Sequence, residues 1–323
     1  MTTLVVRRLL QVPLVVASVL VITFALIWLI PGNPMEQEGR RPPPEIERAM
    51  AAQYQLDSPA AFLGAYAARV SGVGWVLGWN DRPFDLGPSM RHPDWTVNEI
   101  IAAGFPVSAT IGLGAILIAL VIGTLAGLVG GLRPGSWADG ATQSVALVGI
   151  SLPSFVVGSL ALVLVCAKWR LLPVAGWGSP SHAILPMIVL SLPFAAYISR
   201  LLRFGLAEQM TTDHLRTARA KGLSRSQAAW RHALKNALLP VLSYIGPATA
   251  AAMTGSFVVE KVFAVPGLGR HFVEGVLGKD ITLVMGIVLV YATMLVVLNL
   301  VVDVLYAWVD PRIDLAGGAT TTG

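Results

Sequence analysis

Between Arg200 and Lys235 the chain carries eight basic side chains and only two acids, Glu208 and Asp213. The centre of this block reads Asp213-His214-Leu215-Arg216-Thr217-Ala218-Arg219-Ala220-Lys221-Gly222. Guanidinium and ammonium groups at such density bind anions, either carboxylates of a partner protein or phosphates of lipid headgroups. A lipid anchor wants Trp, Phe or Leu on the face opposite the charges. The first half of the block offers Ala218, Ala220 and Gly222 instead, a small-residue surface that favours docking into a protein cleft. Catalytic or metal chemistry has weaker support. The five histidines (His92, His182, His214, His232, His271) lack metal-ligand spacing and fall in expected loops or interfaces. No Gly-x-x-x-x-Gly-Lys-Ser/Thr phosphate loop is present, so ATP has no site on this chain. Cys166, the single cysteine, excludes an internal disulfide and reads as a small buried hydrophobe.

The residues around the basic block supply their own positioning. Thr212 or Asp213 can cap a first helix, and Gly222 can close it by adopting the left-handed conformation. Ser224 and Gln227 then have the spacing of a capping box for a second helix, which runs into an apolar span at Pro240. Helix, glycine turn and helix make a rigid knuckle outside the bilayer.

The remainder of the chain is built for lipid. Hydrophobic residues make up 55% and charged residues 13%, against about 45–50% and about 25% in soluble domains. Expected spans are residues 9–30, 100–132, 141–166, 184–202, 237–259 and 281–302. The fold expected is therefore all-α and polytopic, with six transmembrane helices and both termini cytoplasmic. Residues 1–30 hold the first helix and 31–99 an extracytoplasmic cap of short helices and loops. Residues 100–309 form a five-helix core with a cytoplasmic loop at 204–236, and 310–323 a tail. With this topology the inner segments hold 12 Lys/Arg against 6 Asp/Glu, and the outer ones 11 against 12. The excess of basic residues falls inside, as the orienting rule requires. The net charge of +5 sits largely in one loop and is no nucleic-acid signature.

Inside the spans, Gly123 and Gly127 present a small face that lets another helix approach closely. The Leu152-Pro153, Leu185-Pro186 and Leu192-Pro193 pairs kink their helices, which suits a cavity that opens and closes and equally suits static packing. Candidate pore-lining side chains are Ser151, Ser154, Ser191, Ser243, Thr249, Thr254 and Asn299. Hydroxyls in membrane helices often bond only their own backbone, so both roles are open. Asp303 lies one turn beyond Asn299, where snorkelling or an arginine partner competes with a transport role. Glu260 to Gly269 reads as a loop with a turn, followed by a short helix to Lys279.

The runs Arg216-Thr217-Ala218-Arg219-Ala220-Lys221-Gly222-Leu223 and His232-Ala233-Leu234-Lys235-Asn236-Ala237-Leu238-Leu239-Pro240 resemble the cytoplasmic coupling loop of binding-protein-dependent ABC importer permeases, in the dipeptide/oligopeptide/nickel branch. Four further patches agree with that branch. They are Arg7-Arg8-Leu9 through Pro31-Gly32-Asn33-Pro34; Leu56-Asp57-Ser58-Pro59 with Asp85-Leu86-Gly87-Pro88-Ser89; Val259-Glu260-Lys261-Val262-Phe263 with Pro266-Gly267-Leu268-Gly269; and Asp303 through Tyr306 to Asp310-Pro311-Arg312-Ile313. The Glu-Ala-Ala opening of the wider importer family is replaced here by Arg216-Thr217-Ala218, so no glutamate role carries over. The large first outer loop resembles the first of the two permeases in such systems.

What the resemblance implies is a type I importer permease in the bacterial cytoplasmic (inner) membrane, pairing with a second permease subunit as a heterodimer. Two ABC ATPase subunits would bind below and an extracytoplasmic solute-binding protein above. This chain would bind no cofactor; ATP and Mg would be used by the ATPases. Asp213, Arg216, Thr217, Ala218, Arg219, Ala220, Lys221 and Gly222 would form the coupling surface. The cargo implied is di- or oligopeptides, with nickel or another small solute as the alternative within the family. A membrane-embedded enzyme would need a polar catalytic cluster at membrane depth. A self-contained secondary transporter would need internal repeats and buried coupling charges, and neither is evident.

Overall fold

The computed structural model describes residues 2–31, 43–56, 58–254 and 256–309. The patches at Gly32-Asn33-Pro34, at Asp57 and over 310–323 lie outside the described residues. In chain order the helices are α1 (Thr2–Leu29), α2 (Pro44–Gln53), α3 (Pro59–Val70), α4 (Val73–Val76), α5 (Val97–Leu132), α6 (Trp137–Ser151), α7 (Ser154–Ala161), α8 (Pro180–Gln209), α9 (Asp213–Ala220), α10 (Arg225–Ala228), α11 (Leu234–Ala237), α12 (Leu239–Thr254), α13 (Phe257–Val262), α14 (Leu268–Leu277) and α15 (Ile281–Val309). Two π-helical stretches, Leu162–Lys168 and Ala229–Ala233, continue α7 and α10. Among the described residues the strand content is a lone antiparallel bridge between Pro88 and Thr96.

Five stretches are long and apolar enough to cross a membrane: Leu10–Leu29, Val97–Leu132, Pro180–Gln209, Leu239–Val262 and Ile281–Leu305. The expected third span is not one straight helix: α6 and the helix from Ser154 to Lys168 meet at 100° and make a sixth span only when taken together. The break falls at Leu152-Pro153, where proline has no N–H to continue the ladder and disfavours a helical residue before it. Pro186 and Pro193 are accommodated inside the continuous α8. Pro106 likewise sits inside α5, and the 36-residue helix starts at Val97. Its start is set by a capping box: the Thr96 N–H and hydroxyl both donate to Glu99 Oε2 at 2.8 Å, and Glu99 N–H donates to Thr96 Oγ1.

The chain divides into two compact units. One comprises Leu9–Val107 and Pro266–Met294 and contains the cap helices. Ser58 caps α3 through Ala61 N–H, with Pro59 in the first turn. Phe24 and Trp28 of α1 pack on Phe62 of α3, whose ring in turn stacks near Tyr66. Asp280 organises the rest. Its Oδ1 accepts from Leu283 N–H, capping α15, and from the Thr282 hydroxyl. Its Oδ2 accepts from the Ser89 hydroxyl and from Arg91 N–H, so the start of α15 is tied to the loop after Gly87. Ser89 and Asp280 are both fully buried, and a buried carboxylate is tolerable only when it accepts this many bonds. In the same unit His92 and His271 lie edge-to-face, ring centroids 6.3 Å apart, a neighbour relation their spacing in sequence did not announce.

The other unit comprises Met1–Arg8, Ser108–Val265 and Leu295–Gly323. In it α5 packs closely on α8, and glycines make the approach possible. A Cβ on Gly123 would lie 2.6 Å from Ala195 O, one on Gly127 2.8 Å from Ser199 O, and one on Gly131 2.9 Å from Leu206 Cβ. The small face expected on α5 is thus filled by α8 of the same chain. Exposed apolar residues remain, including Leu117, Val121 and Leu125 on α5, as lipid-facing helices require.

Candidate coupling knuckle and its supports

α8 ends at Met210, whose N–H bonds Leu206 O. Thr212 occupies the N-cap position of α9 with extended backbone, but its hydroxyl donates to Gln209 O and does not cap α9. At the other end Gly222 has φ +95°, the left-handed region expected of it. Gly222 N–H donates to Arg219 O and Leu223 N–H reaches back to Ala218 O at 3.3 Å, the paired bonds of a glycine-closed helix end. Ser224 and Gln227 form the expected capping box, with Ser224 N–H to Gln227 Oε1 at 3.0 Å and Gln227 N–H to Ser224 Oγ at 3.3 Å. From there the chain runs through α10, a π turn and α11 into α12.

One side chain fastens the knuckle. Leu215 is fully buried in a cluster with Leu206 of α8, Met210 at the end of that helix, and Ala228, Ala229 and Ala233 of the second helix. Burying a leucine contributes roughly 1.5–3 kcal/mol, enough to hold a helix this short. Alanines at 228, 229, 233 and 237 let the second helix lie flat, and Gly205 lets α8 approach it: a Cβ there would be 2.9 Å from Ala237 O. With Leu215 turned inward, Asp213, Arg216, Thr217, Arg219, Ala220, Lys221 and Gly222 are exposed and Ala218 is half-buried. The eight residues expected to form a coupling surface are therefore presented together. The Asp213–Arg216 pair, at 3.4 Å and open to solvent, is a weak contact that leaves the arginine available to a partner.

The candidate pore residues are spread over α6, α7, α8, α12 and α15. Ser191, Ser243, Thr249 and Thr254 donate to the carbonyls of Ile188, Leu239, Ile245 and Ala250 in their own helices. Ser151 and Ser154 flank the break at Leu152-Pro153, exposed and half-buried respectively. Asn299 is half-buried against α12, its Oδ1 lying 3.2 Å from where a Cβ on Gly246 would sit.

Two buried acids are not announced by the sequence. Glu260, taken to open a loop, lies in α13 and is fully buried; it accepts from the Ser108 hydroxyl at 2.7 Å and from the Ser256 hydroxyl. The signal was an acid at the end of an apolar run. Arg203, one of the eight basic side chains between Arg200 and Lys235, forks onto Asp139, Nε to Oδ1 at 2.6 Å and Nη2 to Oδ2 at 2.8 Å. Asp139 belongs to the first turn of α6, and Gly135 N–H in the turn before that helix donates to its Oδ2. With arginine and aspartate 64 positions apart, no local pattern announces the pair.

A family model described as binding-protein-dependent transport system inner membrane component matches residues 115–315. The dipeptide transport system permease protein DppB of Bacillus subtilis (strain 168) is 38% identical over 302 residues, covering 93% of this chain and 94% of the relative. The oligopeptide transport system permease protein OppB of Salmonella typhimurium (strain LT2) is 38% identical over 309 residues, 95% and 97% of the two chains. Among solved structures, a chain of the MetNI methionine ABC transporter in an inward-facing conformation superposes with a TM-score of 0.51 at 20% identity, over 65% of this chain and 96% of that one. That last likeness concerns the fold alone.

Among the described residues the fold is all-helical, with five helices, or six spans if the bent pair is one, long and apolar enough to cross a membrane, and it is similar to that of an ABC transporter chain. The chain belongs to the family of binding-protein-dependent transport system inner membrane components. Membership places it among subunits that work with the other components of such a system and with a binding protein.

Proposed function

We propose that this chain is one pore half of an ATP-driven importer that passes di- or oligopeptides across the cytoplasmic membrane. The observation that carries the reading is likeness along nearly the whole chain to permeases named for dipeptide and oligopeptide transport. A second permease subunit completes the pore as a heterodimer, two ABC ATPase subunits bind at the cytoplasmic face, and a solute-binding protein delivers cargo from outside. Both termini and the 204–236 loop are cytoplasmic, and the 31–99 cap is extracytoplasmic. ATP and Mg are used by the ATPase subunits, and this chain supplies no catalytic group.

Thr217, Ala218, Ala220 and Gly222 meet the ATPase cleft, while Arg216, Arg219 and Lys221 pair with acids at its rim and Asp213 holds the first turn of α9. The single buried leucine supports this division, since it points every charged side chain of α9 away from the permease. Of the pore candidates, Ser151, Ser154 and Asn299 keep polar atoms not committed to a hydrogen bond with their own helix, and they are the first choices for contact with cargo; Ser191, Ser243, Thr249 and Thr254 follow. Reconstitution with the second permease, both ATPases and the binding protein tests the proposal: labelled di- or oligopeptide should accumulate in vesicles only with ATP. Uptake without the ATPases, or uptake of nickel but no peptide, would contradict it.

A further inference from the structure

The Asp139–Arg203 pair occupies a place where force passes. Arg203 sits on α8 about two helical turns before its end at Met210, where the chain turns into α9. Asp139 sits at the first turn of α6, whose other end is the 100° break at Leu152-Pro153. The fork is shielded, with side-chain exposure of 16% for the arginine and 3% for the aspartate. The aspartate also accepts from Gly135 N–H at 2.8 Å, which fixes the carboxylate to the turn between α5 and α6. Room for it is made on α5, where a Cβ on Gly130 would lie 2.9 Å from Asp139 Oδ1.

A shielded ion pair is a poor stabiliser compared with apolar side chains of the same volume, because desolvation offsets the attraction. What it does well is fix direction: two parallel N–H···O bonds allow one relative orientation of the guanidinium and carboxylate planes. An apolar contact at the same place could slide.

We propose that Asp139 and Arg203 are positioning residues that form a strut, making α6 follow α8 when the knuckle is displaced, so that movement at α9 reaches the Leu152-Pro153 break. The inference rests on the coupling role proposed above for the knuckle. α8 carries the knuckle through the Leu215 cluster and Gly205, the strut joins α8 to the start of α6, and α6 delivers the motion to its broken end. Neither residue touches cargo or ATPase in this scheme.

The test uses the assembled transporter in lipid, with amide hydrogen exchange followed over residues 213–223 and 148–154 as a slowly hydrolysed ATP analogue is added, and with transport per ATP measured in parallel. Asp139→Asn keeps the size of the side chain and an acceptor for Gly135 N–H. Arg203→Lys keeps the charge without the fork, and Arg203→Gln removes the charge. In the wild type both segments should respond. In Asp139→Asn and Arg203→Gln the response should stay at 213–223, transport per ATP should fall about ten-fold, and the double variant should be no worse than either single one because a single contact is lost in all three. Arg203→Lys should fall between. Response at 148–154 in the assembled variants equal to wild type, additive losses in the double variant, or failure of every variant to assemble would overturn the strut. A wild type with no response at 213–223 would overturn the coupling reading and the strut with it, and is told apart by which segment stays still.

Discussion

Leu223 N–H donates to Ala218 O at 3.3 Å, bridging the exposed turn at Gly222. That bond closes α9 and sets the direction in which the chain leaves for the second helix. It forms because Gly222 takes φ +95°, a conformation costing other residues about 1–2 kcal/mol or more. A Cβ there would touch nothing within 4 Å, so the demand for glycine is one of backbone conformation and not of space.

Leu215 is expected to be the knuckle's main fastening. Leu215→Ala should remove about 2–5 kcal/mol of local packing, speeding amide exchange over residues 213–237 while the spans keep their protection. Trp230, 63% exposed on the second helix, offers the contrast: Trp230→Ala should change exchange little, within about 0.5 kcal/mol.

The α5–α8 contact should tolerate no added methyl. Gly127→Ala brings a Cβ to 2.8 Å from Ser199 O, a backbone atom with no rotamer to yield. Overpacking of this kind costs about 1–3 kcal/mol and should lower the melting temperature of the detergent-solubilised protein. Gly64→Ala in α3, where nothing lies within 4 Å, should leave it unchanged or raise it, alanine being about 1 kcal/mol better than glycine in a helix.

Asp280 should matter to the cap more than its distance from any expected site suggests. Asp280→Ala removes the α15 cap, typically about 0.5–2 kcal/mol, and strips the acceptor from Ser89 and Arg91 N–H. Limited proteolysis between residues 85 and 95 should accelerate, whereas Asp280→Asn, which retains an acceptor oxygen, should show a smaller effect.

Much of this architecture was legible from local pattern. Gly222, Ser224 and Gln227 announced the knuckle because helix ends are decided by neighbouring residues, and the structure places all three as expected. The apolar runs likewise announced the spans, and the spacing of Gly123 and Gly127 announced a close helix contact, though not that α8 makes it. Thr96 and Glu99 carry a capping signal of the same local kind. What stayed hidden depends on residues far apart in the chain. Asp139 with Arg203, Ser89 with Asp280, and Ser108 with Glu260 are joined only by the packing of helices, and composition cannot say which acid meets which donor. The 100° break shows the other limit: Pro153 predicted a kink, but Pro186 and Pro193 lie within one continuous helix, and only tertiary packing separates the cases.

The coupling role of the knuckle is tested most directly by comparing Gly222→Val with Gly222→Asn in the reconstituted transporter, measuring retention of the ATPase subunits on purification and peptide uptake per ATP. Valine is strained in the left-handed region and asparagine tolerates it. Gly222→Val should insert and pair with the second permease yet lose ATPase retention or drop uptake per ATP by about ten-fold, as a bias of 1–2 kcal/mol would produce, while Gly222→Asn stays near wild type. Full retention and unchanged uptake per ATP in Gly222→Val would contradict the docking of this turn against the ATPase.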